Sequence, residues 1–189
     1  MAPRVKISKD DIINTVIKLI RAGGEQSINA RAIASDLNCS TQPIFSNFSS
    51  MEELEKEALS AAYNIYLGFL KNEAEQGEYP TYKAYGMAYI RFAKEERELF
   101  KFLFMRDRTL EDTSPAPDFR ESVQIIMKTN GIAQEQAELM HLEMWTCVHG
   151  IATMIATSFL SLEWEIISAI TSDVYHGIKT RHTPKEDKG

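Results

Sequence analysis

The sequence predicts an all-α protein: an N-terminal three-helix domain containing a helix-turn-helix, followed by a larger helical domain. Apolar residues recur at three- and four-residue spacing through most of the chain. Residues 29–48, NARAIASDLNCSTQPIFSNF, hold two short helical patterns on either side of a tight turn. From residue 50 onward, strand signals are few.

The first helix opens after Ser8, with Asp10 and Asp11 in its first turn. It carries Ile12, Ile13, Val16, Ile17, Leu19 and Ile20 and stops at Gly23-Gly24. Asn29 can accept a backbone N–H as the N-cap of a short helix with Ile33, Ala34 and Leu37 on one face. Asn38 falls where that helix must leave the right-handed region, a conformation Asn tolerates. A three-residue turn is expected there, with Ser40 capping the second short helix. Pro43 fits its first turn, because the N–H that Pro lacks would have no helical partner there. Ser50-Met51-Glu52-Glu53 then reads as an S-x-x-E capping box opening a long helix, with Leu54, Ala58, Leu59 and Ala62 on one face. A helix-turn-helix fits the major groove of DNA, although two helices joined by a tight turn occur in many helical proteins.

The long helix is expected to run to about residue 76, before Gly77 and Pro80. Residues 81–93 make the next helix, with Tyr82, Tyr85, Tyr89 and Phe92 at helical intervals. In residues 95–105, Leu99, Phe100, Phe102, Leu103 and Phe104 are too dense for one exposed face, so that helix is enclosed. Residues 107–118 form a loop, since Ser114-Pro115-Ala116-Pro117 cannot lie inside a helix. Further helices span 119–129, ended by Asn130-Gly131, then 134–160 and 162–180, and a polar tail covers 182–189. The expected domains are 1–50, 51–181 and the tail.

Hydrophobic residues make up 44% of the 189 and charged residues 25%, a globular rather than a disordered profile. No apolar run approaches the roughly 20 residues of a membrane span, and the N-terminus lacks the apolar core of a secretory signal. Cys39 and Cys147 have no metal-ligand spacing and read as reduced thiols of a cytoplasmic protein. The net charge of −6 conceals an asymmetry. Residues 1–50 hold six Lys/Arg against four Asp/Glu, a balance of +2 that leaves −8 for the rest. A mildly basic head on an acidic body suits a protein whose head alone touches DNA.

The succession of helix, double glycine, helix-turn-helix and capped long helix over residues 8–59 resembles the N-terminal domain of the TetR/AcrR family of transcriptional regulators. Ile33-Ala34 through Phe45, Phe48 and Glu52-Glu53-Leu54 carry the likeness. Trp145-Thr146-Cys147-Val148-His149-Gly150 is similar to the W-x-x-x-H-G pattern of one branch of the family's C-terminal domains. The resemblance implies a dimeric regulator, in the first place a repressor. It would bind a palindromic double-stranded DNA operator and be released by a small-molecule effector. The last two helices would join the protomers; their apolar residues exceed what packing within one chain needs, and two copies can close a four-helix bundle. No cofactor, metal or membrane is expected.

Thr41, Gln42 and Ser46 are expected to face DNA, while Ile44, Phe45 and Phe48 include the side chains that hold the second short helix in place. Gln42 is the best base reader, because its amide can both donate to and accept from adenine. Asn29, Arg31, Ser40 and Asn47 suit phosphates or flanking bases, and Lys6 and Lys9 an N-terminal grip. Phe45 belongs to the DNA-binding set by position. In the family, position 42 usually holds a small residue, position 45 a Tyr whose hydroxyl touches phosphate, and position 51 a Lys doing likewise. Gln42, Phe45 and Met51 stand here, so two phosphate contacts that the likeness implies are missing.

Candidate effector contacts are Tyr66, Tyr85, Tyr89, Phe102, Met105, Met127, Trp145 and His149, with Tyr63 and Met144 beside them. Aromatic and Met side chains give an adaptable apolar lining with a few polar handles. For any one of these residues, filling the core is the commoner role. His149 is either a ligand contact or a satisfied core histidine, and its place on an apolar helix favours the core. Gly150 inside a helix costs about 1 kcal/mol relative to Ala, so a close helix contact is expected there.

The sequence leaves two other functions to consider against this one. One is a helical ligand- or protein-binding module whose head no longer reads DNA. The other, an enzyme, finds no support: G-x-S-x-G, P-loop and H-E-x-x-H motifs are absent, and His141, His149, His176 and His182 lack metal spacing. His141 and Glu138, one turn apart, read as a surface pair.

Overall fold

The computed structural model describes residues 7–107 and 117–182. Lys6, most of the loop expected at 107–118 and the tail beyond residue 182 lie outside the described residues. Among those described, the protein is all-helical, with nine α-helices, one 3-10 turn and no strand. None of these helices is long and apolar enough to cross a membrane. The chain divides into two compact units.

The first unit comprises Met1–Gly68 and Glu95–Asp107. Its α1 (Lys9–Gly23) opens on a reciprocal capping box: Asp11 N–H donates to Ser8 Oγ at 3.1 Å, and Ser8 N–H to Asp11 Oδ2 at 2.9 Å. It ends at Gly24, whose φ of 74° few side chains tolerate. Ile12, Val16 and Ile20 are fully buried on one face of α1. After a 3-10 turn at Glu25–Ser27, α2 (Ala30–Asp36) starts with Ala32 N–H donating to Asn29 Oδ1 at 2.9 Å.

Five residues, 37–41, separate α2 from α3 (Gln42–Asn47), not the three expected. Asn38 makes the left-handed step at φ 50°. The N-cap of α3 is Thr41 rather than Ser40, and no side chain caps it. With Ser40 as cap, the third helical position would be Pro43, which has no N–H to offer.

The fourth helix, α4 (Met51–Gln76), makes only half of the expected capping box. Glu53 N–H donates to Ser50 Oγ at 3.2 Å, but the Glu53 carboxylate accepts from the N–H and hydroxyl of Ser49, at 2.7 and 2.6 Å. Leu54, Ala58 and Ala62 are buried as their spacing predicts. The unit boundary falls inside α4, after Gly68. Following α5 (Thr81–Glu95), α6 (Arg97–Phe104) packs against α1 and buries Leu99, Phe100, Phe102 and Leu103.

The second unit comprises Phe69–Lys94 and Arg108–Gly189. Its helices include most of α5, then α7 (Pro117–Asn130), α8 (Gln134–Ala156) and α9 (Trp164–His182). Pro117 is the first residue of α7, where Pro is tolerated. α8 packs on both α7 and α9. Val123, Ile126, Ile132, Ala137 and Met140 form a core cluster, with Tyr82, Phe119, Met127, Tyr175 and Ile178 against it.

α8 stops four residues short of the expected 160, because Ser158 adopts φ 58°. Phe159 N–H then reaches back to Met154 O at 2.9 Å and Ser158 N–H to Ile155 O at 3.0 Å, a Schellman closure made without glycine. In the same unit, the buried Glu73 accepts from Arg91 Nε at 2.8 Å and from Nη2 at 3.2 Å, and Arg91 lies over the Trp164 ring at 4.3 Å.

Candidate functional site

The first candidate site is the outer edge of α2 and α3. α3 has only six residues and is anchored by two side chains, Ile44 at 0% exposure and Phe48 at 2%. With Ile44 turned inward, the roughly 100° step to the next residue swings Phe45 outward. Phe45 is 52% exposed, so it does not help to hold the helix as expected; it stands on the outer edge with Gln42.

Several of the expected DNA contacts are engaged within the chain. Ser46 Oγ donates to Gln42 O at 2.8 Å. Asn47 Nδ2 donates to Pro43 O at 2.8 Å and to Ile7 O at 3.4 Å. Asn29 Oδ1 is occupied as the cap of α2. Among the described residues, the side chains of Arg31, Ser40, Thr41 and Gln42 have no hydrogen-bond or ion-pair partner; Arg31, Ser40 and Gln42 are exposed and Thr41 half-buried.

The cations of the head are distributed unevenly. Lys9 Nζ lies 3.5 Å from Glu53 and 3.9 Å from Glu57, and 4.8 Å from the centre of the Phe48 ring. It therefore ties α1 to α4, where an N-terminal grip on DNA had been expected. Lys18 pairs with Asp36 at 2.6 Å and Arg21 with Glu96 at 2.6 Å. Arg31 is left as the one unpaired cation among the described residues of 1–50.

The candidate effector contacts fall into both units. In the first, Tyr66 is buried edge-on to Phe104 at 5.3 Å, Phe102 is buried and Met105 is exposed at the end of α6. In the second, Tyr89 OH lies 2.8 Å from His149 Nδ1, and His149 stacks on Trp145 with ring centres 4.7 Å apart and planes 16° from parallel. Burial holds the His149 imidazole below its ordinary pKa, hence neutral at pH 7, and pushes the Tyr89 phenol up. Tyr85 OH donates to Glu121 Oε1 at 2.8 Å, and burial together with that carboxylate raises its pKa to about 12. Met127 packs against the α7–α8 core. The structure thus joins Tyr89, His149 and Trp145 in one polar–aromatic cluster, while Met127 serves packing.

His141 is a correction. It is buried at 9% exposure, with Nδ1 3.0 Å from Tyr82 OH and its ring edge-on to Phe119 at 4.7 Å. Glu138, its expected surface partner, accepts from Gln134 at 2.8 Å instead. Burial pushes the His141 pKa down to about 4.

Gly150 makes no close contact within the chain, for a Cβ there would meet nothing within 4 Å. Along α8 and the following turn, Leu139, Leu142, Trp145 and Phe159 are 49%, 51%, 41% and 81% exposed, and Ile166 of α9 is 47% exposed.

Residues 82–169, from α5 into α9, match a family model described as the Tetracyclin repressor-like, C-terminal domain. No curated protein matches the chain. Residues 82–169 are thus similar to tetracyclin repressor-like C-terminal domains, and in the chain they follow a helix-turn-helix whose outer edge carries polar groups unengaged among the described residues.

Proposed function

We propose that this protein is a homodimer that binds a palindromic operator through α2 and α3, represses transcription, and leaves the DNA when a small molecule enters its body. The observation that carries the reading is the unengaged edge of Arg31, Ser40, Thr41 and Gln42, mounted on helices fixed from behind by Ile33, Ile44 and Phe48. Groups with no partner among the described residues are available to phosphates and base edges at no cost in broken bonds among them. In this reading residues 1–50 are the reading head, residues 51–181 the sensing and pairing body, and the protein acts in the cytoplasm.

Dimerisation rests on exposed Leu139, Leu142, Trp145, Phe159 and Ile166, together with the open space at Gly150, where a partner helix can approach closely. Effector binding rests on the Tyr89–His149–Trp145 cluster, with Tyr85 and Glu121 as further polar handles. An effector with higher affinity for one arrangement of the body shifts the population towards it, and α4, continuous from Met51 to Gln76, carries the shift to the heads.

One observation favours a second reading, a ligand- or protein-binding module that does not read DNA: Lys9, Lys18 and Arg21 all face carboxylates. Selection from a randomised duplex library by the full-length protein separates the two. The repressor reading expects an enriched palindrome with half-sites about one or more helical turns apart, bound less tightly as salt rises. A library that enriches nothing contradicts it.

A further inference from the structure

The outward side chains of α3 are Gln42, Phe45 and Ser46, and the Ser46 hydroxyl is turned onto the Gln42 carbonyl. Asn47 is held by Pro43 and Ile7. What α3 itself offers a duplex is therefore one amide and one phenyl ring, three residues apart on the same face, with Cβ atoms about 5–6 Å apart. The ring is 52% exposed beside a fully buried Ile44. Lacking a hydroxyl, it cannot donate to a phosphate, and only an apolar partner improves on leaving it in water. On the floor of the major groove the apolar group that a base edge presents is the C5-methyl of thymine, while adenine N6 and N7 match the Gln amide.

We propose that Phe45 packs on a thymine methyl adjacent to the adenine read by Gln42, so that each half-site is defined by neighbouring A·T pairs. This rests on the reading of α3 as the DNA-facing helix, and it assigns Phe45 to base readout rather than to backbone positioning.

The test uses the duplex enriched by the full-length protein, with the thymines of each half-site replaced one position at a time by deoxyuridine. That exchange removes only the methyl and keeps the base pair. A buried methyl is worth about fourfold in affinity, hence about 15-fold when lost from both half-sites of a dimer site. At one thymine per half-site, deoxyuridine should weaken binding by about that factor. Phe45→Ala should lose a similar factor on the parent duplex and nothing more on deoxyuridine, whereas Phe45→Leu should retain the sensitivity. Circular dichroism should show both variants fully helical, since the ring is exposed. A tightly bound duplex indifferent to deoxyuridine at every thymine, half-sites without thymine, or a Phe45→Ala variant that keeps the whole penalty would overturn the assignment while leaving DNA binding intact. Failure to enrich any duplex would overturn the DNA-reading role itself, and this assignment with it.

Discussion

Arg31 and Gln42 carry different chemistry on the proposed DNA face, and their variants should differ accordingly. Arg31 is exposed and unpaired among the described residues, so Arg31→Ala should weaken binding to all sequences alike and lower the salt slope by about one per half-site, hence about two for the dimer. Gln42→Ala should cost about 1–3 kcal/mol per half-site and relax specificity at one base pair of each, leaving the salt slope unchanged. Titrations of matched and mismatched duplexes at two salt concentrations check both. His141 makes a prediction about stability instead. Its folded pKa of about 4 lies below the roughly 6.5 of an unfolded histidine, so the unfolded chain binds the proton more tightly. Its contribution is complete above about pH 6.5 and is lost as pH falls towards 4, up to about 3 kcal/mol. In urea titrations across that window, His141→Gln should lose less stability than the parent. The outward placement of Gln42 was legible from helical spacing. Those of Phe45 and His141 were not, because which neighbour in a short helix turns inward, and which polar residue of a long helix is covered, is decided by packing partners distant in sequence.

Elements begin and end where the backbone makes a local demand, and most of those demands are written in residue types. Ser8 and Asn29 start α1 and α2 as caps, and Gly24 and Gly77 stop α1 and α4 at φ 74° and 69°. Asn29→Ala should therefore cost about 0.5–2 kcal/mol of stability in urea titration, and should weaken DNA binding less than Arg31→Ala does, because the Asn29 oxygen is engaged in the cap. Boundaries went unread where an atypical residue met the demand. Ser158 takes the left-handed position that ends α8, and Thr41 precedes α3 without any side-chain cap. The Glu73–Arg91 pair and its stacking on Trp164 join segments far apart in the chain, so no local pattern announces them.

For the molecule as a whole, charge and the proposed pairing surface bear on the proposed regulation together. The first 50 residues carry a balance of +2 in a chain of −6. With Lys9, Lys18 and Arg21 paired, the proposed regulator has weak long-range attraction to DNA, and the proposal makes its affinity depend on two heads binding together. Gly150→Leu leaves the protomer undisturbed, since the space there is open, but would obstruct a partner helix. It should remain fully helical yet sediment as a monomer, as should Leu142→Glu; a dimer in both would place the pairing surface elsewhere. The most direct measurement is a fluorescence anisotropy titration of the enriched duplex, with both half-sites and with one, using the parent and an Arg31→Ala/Gln42→Ala double variant. The parent should bind the two-half-site duplex far more tightly than the single, and the double variant should bind neither while staying helical and dimeric. A double variant that binds like the parent would contradict the assignment of the α2–α3 edge as the reading surface.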